Sequence, residues 1–273
     1  MVTLYDSGFH GNTPYFVMQI LDGVDLAALV VEAGPFSSET ACSVALGMAA
    51  ALSAAHTAGV LHRDVKPTNV GITRHGSVMV HDFGLARLAG ESAITRTGTS
   101  MGTPQFMAPE VIMGRGPARR GSLRAGVCMY LMLTGNLPFG TEAEVGAVVE
   151  RAVGAGVPAL SDSALPVAPE LAALVDGLCA QNPADRPHEA ADVALILEPL
   201  VGSGRTVLAD LVTAMVRDTA IQQVYRPTGW GARDAGPEYD WDEGAVPGSG
   251  PRCSTDSGRS PSASPPGGWS SAA

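Results

Sequence analysis

The sequence predicts an α+β fold, a mainly helical body entered through a few short strands and followed by a disordered tail. Three observations predict it. A strand-like aromatic run lies near the start, helical signals dominate from about residue 37 to residue 200, and half of the last 48 residues are Pro, Gly or Ser. With 273 residues and 45% hydrophobic content, the chain can bury a substantial core in one or two domains.

The run Thr13-Pro14-Tyr15-Phe16-Val17-Met18-Gln19-Ile20 is rich in aromatic and β-branched residues after a Gly/Asn turn, so it reads as a strand, closed by the turn signal Leu21-Asp22-Gly23. Ser37-Ser38-Glu39 offers a helix cap and an acidic first turn, and the helix it opens runs to about Gly59. Within it, Ala41 to Leu61 carries no formal charge and reaches membrane-spanning length. Its Ala, Gly, Ser and Thr content, with His56 inside, gives little apolar surface per residue, so a buried helix of a globular body is expected. Val70-Gly71-Ile72 and Val78-Met79-Val80, separated by Arg74-His75-Gly76, have the form of a small hairpin. Helical signals, punctuated by Gly135, Pro138, Pro158 and Pro187, then continue to about Leu200. Val207 to Val224 has room for one more helix, and the segment from Arg226 to Ala273 is expected to be disordered. All three tryptophans, Trp230, Trp241 and Trp269, lie in that tail.

Charge and cysteine usage narrow the function classes. A formal charge of −10 and a pI near 5.0 supply no basic footprint for nucleic acid or an anionic membrane, so neither is an expected partner. Cys42, Cys128, Cys179 and Cys253 are scattered singly without CxxC spacing, which predicts reduced packing residues in a cytoplasmic protein. The opening Met1-Val2-Thr3-Leu4-Tyr5-Asp6 has no basic, apolar leader pattern, so the written N-terminus is expected to be the mature one.

The chemistry is concentrated in His62-Arg63-Asp64-Val65-Lys66-Pro67-Thr68-Asn69 and, thirteen residues after Asn69, Asp82-Phe83-Gly84. Phosphoryl transfer needs a carboxylate beside the attacking hydroxyl, a cation near the transferring group, and oxygen ligands that hold Mg²⁺ against nucleotide phosphates. Asp64, Lys66, Asn69 and Asp82 are the right residue types for those tasks.

On these motifs the sequence resembles the bacterial branch of the eukaryotic-like (Hanks-type) serine/threonine protein kinases, over roughly residues 1 to 200. Gly102-Thr103-Pro104-Gln105-Phe106-Met107-Ala108-Pro109-Glu110 resembles the end of the family's activation segment. Asn182-Pro183-Ala184-Asp185-Arg186-Pro187 resembles the late segment whose arginine pairs with that glutamate, so Glu110 and Arg186 are an expected buried ion pair. The resemblance implies a protein-kinase-like fold: remnant N-lobe strands and hinge in 1–22, a C-lobe in 23–200, and an extra helix with a disordered tail in 201–273. It also implies Asp64 as catalytic base, Lys66 as phosphate contact, Asn69 and Asp82 as magnesium ligands, Met18 as gatekeeper, and Gln19 to Leu21 as the adenine-binding hinge. ATP and Mg²⁺ are then the cofactors, and a protein with a Ser or Thr acceptor is the substrate. Between Asp82-Phe83-Gly84 and Ala108-Pro109-Glu110, Thr95, Thr97, Thr99 and Ser100 form a hydroxyl cluster. In it Thr95 and Thr97 resemble autophosphorylation sites, with Arg63 placed to pair with a phosphate.

Three features depart from the family. No GxGxxG loop occurs, and Lys66 is the only lysine in 273 residues, so nothing here matches the lysine that grips the α- and β-phosphates. Gly121 stands where the family carries an aspartate that braces the catalytic loop, and Gly71 stands where a bulky residue forms the floor under adenine. The resemblance therefore predicts an N-terminally truncated kinase, inactive or impaired as this chain. The alternatives are a pseudokinase-like module that binds partners without catalysis, and a decayed gene product. The strand at Tyr15 to Met18, deprived of sheet partners, predicts an open apolar edge and homo-association through it.

Overall fold

In the computed structural model, residues 2–11, 13–83, 104–115, 122–140, 144–187 and 189–218 are described. All fall within the first of two compact units, Met1–Gln222. The activation-segment hydroxyls Thr95, Thr97, Thr99 and Ser100, together with Gly121, Cys253 and the tryptophan-bearing tail, lie outside the described residues.

The chain enters through an antiparallel hairpin of β1 (Leu4–His10) and β2 (Thr13–Met18). The strand expected to stand alone thus has a partner, in a segment whose Asp6-Ser7-Gly8 hides the period-two pattern. Gly8 faces Tyr15 across the ladder, and the tyrosine ring lies over the space a side chain at position 8 would fill. The hairpin keeps much of its apolar surface in water, with Phe9 73% and Ile20 91% exposed.

A second sheet has the order β3-β4-β5, all antiparallel, from β3 (Gly23–Asp25), β4 (Val70–Thr73) and β5 (Val78–Val80). The expected turn at Leu21-Asp22-Gly23 is shorter than read, since Gly23 already pairs with Thr73. Asp25 ends β3 and caps α1 (Leu26–Ala33) by accepting from the Ala28 N–H at 2.8 Å. That helix was not foreseen, because an eight-residue apolar run carries too little periodicity to be separated from a strand.

The centre of the body is α2 (Ser38–Thr57), capped by Ser37 through the Thr40 N–H at 3.3 Å, as expected. It is the one helix among the described residues long and apolar enough to cross a membrane, yet its small side chains are buried inside the chain. Smallness is what allows that packing. A Cβ at Gly47 would collide with Val78, so glycine lets β5 approach the helix. Around α2 pack α4 (Ser122–Thr134), α7 (Ala190–Leu197) and α8 (Gly204–Asp218). Two further helices, α5 (Val145–Gly154) and α6 (Pro169–Leu178), and the short α3 (Pro109–Ile112), complete the body.

The last helix, α8, begins three residues earlier than read from sequence. Glu39 of α2 supplies the reason, accepting from both the N–H (2.8 Å) and Oγ (2.7 Å) of Ser203 just before that helix. Leu208 and Val212 of α8 are fully buried in the main core, so the helix is part of the body. Cys42, Cys128 and Cys179 are buried free thiols, as expected, and burial pushes Cys42 up to about 11 and Cys179 up to about 12.

Candidate active site

Two loops meet beside the three-stranded sheet, and β4 and β5 are what bring them together. Val70 pairs with Val80, so Asn69 and His81 are neighbours, with the His81 N–H donating to the Asn69 carbonyl at 3.0 Å. A thirteen-residue separation in sequence becomes one residue step across a ladder. Asn69 and Asp82 are thereby delivered to the same place.

His62 joins the two loops. The ring is 2% exposed, tilted against Phe83 at 4.3 Å between centroids, and its Nε2 lies 2.8 Å from the His81 carbonyl. A carbonyl only accepts, so Nε2 carries the proton, and Nδ1 accepts the Asp64 N–H at 3.3 Å. The neutral ring is satisfied at both nitrogens. Burial holds its pKa below the usual histidine range, against the opposing pull of its hydrogen bonds and of Asp64 and Asp82.

Asp64 is the hub of the first loop. Its Oδ2 takes Lys66 Nζ at 3.0 Å and Asn69 Nδ2 at 3.2 Å, while Asn69 Nδ2 also bonds the Asp64 carbonyl at 2.7 Å. Its Oδ1 takes Arg124 Nη1 at 3.2 Å, from the first turn of α4. Asp82 receives a hydrogen bond from His81 Nδ1 at 3.3 Å, the main cause that holds its carboxyl below the ordinary aspartate value despite partial burial. Arg63 and Asp82, at φ 65° and 61°, are the two non-glycine residues of positive φ among those described. Both flank the site, where strained backbone is held by surrounding contacts.

The sequence-designated residues Asp64, Lys66, Asn69 and Asp82 are thus gathered at one locality. Met18 ends β2, and the Gln19 N–H donates to the Thr3 carbonyl at 2.9 Å. Leu21 leans over β4, where a Cβ at Gly71 would overlap its side chain. The space beside Gly71, where the resemblance puts a bulky residue, is occupied by the Leu21 side chain. Further from the site, Arg186 and Glu110 form the expected buried pair. Arg124 was missed as a site residue: the sequence marked only the nearby Gly121 as a departure from the family.

The protein kinase domain family matches residues 1–195. This chain belongs to the protein kinase family. It is 35% identical over 226 residues to the serine/threonine-protein kinase PknL of Mycobacterium tuberculosis, covering 81% of this chain and 56% of PknL. The probable serine/threonine-protein kinase PknB of Corynebacterium glutamicum is 36% identical over 190 residues, covering 67% of this chain and 29% of that protein. The chain therefore spans little more than half of one relative and less than a third of the other. Among solved structures, Rad53 residues 1–466 in complex with AMP-PNP superposes with a TM-score of 0.59 at 25% identity, over 74% of this kinase chain and 50% of that one.

Proposed function

We propose that the chain is the C-lobe of a serine/threonine protein kinase that passes the γ-phosphoryl group of ATP to a Ser or Thr hydroxyl of a protein. The observation that carries this is the convergence of Asp64, Lys66 and Asn69 with Asp82, locked through His62. Asp64 takes the proton of the acceptor hydroxyl. The hydroxyl oxygen bonds to phosphorus, and the bond to the bridging oxygen breaks with its electron pair leaving on ADP. Lys66 places its charge beside the transferring group. Met18, Gln19 and Leu21 face the purine.

Asn69 and Asp82 fit Mg²⁺, which favours hard oxygen ligands and accepts one carboxylate alongside phosphates. The Asn69 amide nitrogen is engaged by Asp64, which leaves its side-chain oxygen as the atom that would hold the ion, with a long 3.5 Å approach from Thr68 Oγ1. The Asp82 carboxyl is held ionised by His81. When bound, the ion would neutralise phosphate charge; the side chains orient it. The exposed Arg63 is the partner for phosphate on Thr95 or Thr97.

With no Gly-rich loop and no second lysine to grip the α- and β-phosphates, these 273 residues alone are expected to turn over slowly. A second reading, a non-catalytic binding module, is favoured by the apolar surface of the β1–β2 hairpin, which also offers a route to homo-association in a cytoplasmic setting.

The test is Mg²⁺-dependent ATP binding by the full chain, read as a thermal shift beside Asp82→Ala. At saturating nucleotide the wild type is expected to gain roughly 5 °C, and the variant little. A folded wild type that does not shift would remove the catalytic reading and leave the module.

A further inference from the structure

We propose that Arg124 is a positioning residue that fixes the Asp64 carboxylate from the first turn of α4, doing from a side chain what the family assigns to the aspartate replaced here by Gly121. Arg124 is an expensive residue to place where it is. Its side chain is 9% exposed, its Nε is buried without a hydrogen-bond partner among the described residues, and the carboxylate it reaches is that of Asp64, at 3.2 Å. A buried guanidinium left with an orphan donor is retained only where its remaining contact matters.

That contact selects the reacting oxygen. A carboxylate oxygen offers about two acceptor sites. Oδ2 of Asp64 already takes Lys66 Nζ and Asn69 Nδ2, while among the described residues Oδ1 takes Arg124 alone. One site on Oδ1 is therefore left for the proton of the acceptor hydroxyl. Arg124 points Oδ1 and holds the carboxylate against rotation, so that the free site keeps one direction. Lys66 and Asn69 hold the same carboxylate through Oδ2, and Arg124 adds the contact on Oδ1 itself, on the opposite side of the group.

The proposal rests on the reading of Asp64 as the base, but the contact itself is tested without turnover. The full chain is unfolded thermally as wild type, Arg124→Met, Asp64→Asn and the double variant. Arg124→Met is expected to lower Tm by roughly 5 °C when Asp64 is present and by less than about 2 °C in the Asp64→Asn background, a coupling that a merely space-filling arginine would not show. Equal losses in the two backgrounds overturn the proposal. Should Arg124→Met not fold, Arg124→Lys serves in its place, keeping charge while losing the fork. Where the wild type shows phosphotransfer to a protein acceptor, Arg124→Met is expected to lower kcat about tenfold or more with acceptor KM within about twofold. Arg124→Lys should recover part of that loss. A rise in kcat would instead make Arg124 a brake on Asp64 and would also overturn positioning. If no phosphotransfer is seen, as slow turnover of these residues alone would give, the thermal cycle alone decides the Arg124–Asp64 contact, and the reading of the site is decided separately by Mg²⁺-ATP binding.

Discussion

Arg186 meets Glu110 end to end, Nη1 to Oε1 at 2.8 Å and Nη2 to Oε2 at 3.0 Å, across 76 residues of sequence. The fork geometry doubles the contact, and two more donors are used: Nε bonds the Ala180 carbonyl at 2.7 Å and Nη2 the Gln181 carbonyl at 3.0 Å. The guanidinium side chain is only 2% exposed, so every bond it makes is shielded from water. Removing one partner leaves the other charge buried and uncompensated, which costs about 3–5 kcal/mol. Arg186→Met is thus expected to lose that much in urea unfolding, and Glu110→Gln/Arg186→Met to lose less than Arg186→Met alone. A single-variant loss under about 1 kcal/mol would show that the pair does not hold α3 to the segment after α6.

The pair was legible in the sequence because both residues sit in motifs whose separation does not affect recognition. The same holds for Asp64, Lys66, Asn69 and Asp82, whose order and spacing encode a loop, a hairpin and a second loop. What was not legible depends on contacts between elements without such motifs. The strand β1 lacked alternation because Asp6, Ser7 and Gly8 interrupt it, and only its pairing with β2 reveals it. Gly71 is readable from sequence only as a small residue where the resemblance has a bulky one, and that Leu21, far back in the sequence, occupies the space beside it is a contact between separate elements. Arg124 carried no role in the sequence, since no sequence rule reports that the first turn of α4 faces the Asp64 loop.

The Leu21–Gly71 pair makes its own prediction. A side chain at position 71 would overlap Leu21, so Gly71→Leu must displace the Leu21 side chain or shift β4. Overpacking of this kind costs about 1–3 kcal/mol. Gly71→Leu is expected to fall in that range, and Leu21→Ala/Gly71→Leu, which reopens the space, to regain most of it. The cycle is measured by urea unfolding, with Mg²⁺-ATP thermal shifts taken in parallel. If the double variant is no more stable than Gly71→Leu, Leu21 is not what occupies the floor.

His62 ties stability to pH in a direction that follows from its buried neutral ring. Its pKa in the folded chain lies below the ordinary histidine value of 6.5, because burial disfavours the imidazolium more than its hydrogen bonds and the nearby Asp64 and Asp82 favour it. Unfolded chains therefore bind the proton first as pH falls below 6.5, and each step down weakens the fold. The contribution is complete above that point and is lost as pH descends toward the folded value. Asp82, whose carboxyl also titrates below its ordinary value of 3.8, adds a further loss in more acidic solution, in the same direction. One proton of difference corresponds to a slope of up to about 1.4 kcal/mol per pH unit. Unfolding free energies at several pH values between neutral and acidic should decline in the wild type and decline less in His62→Gln, which keeps a donor for the His81 carbonyl but cannot titrate. The other five histidines are present in both chains, so their titration cancels in the comparison. Parallel curves would mean that His62 is not the group that carries the acid sensitivity, and that the junction between the two loops is held by something other than the neutral ring.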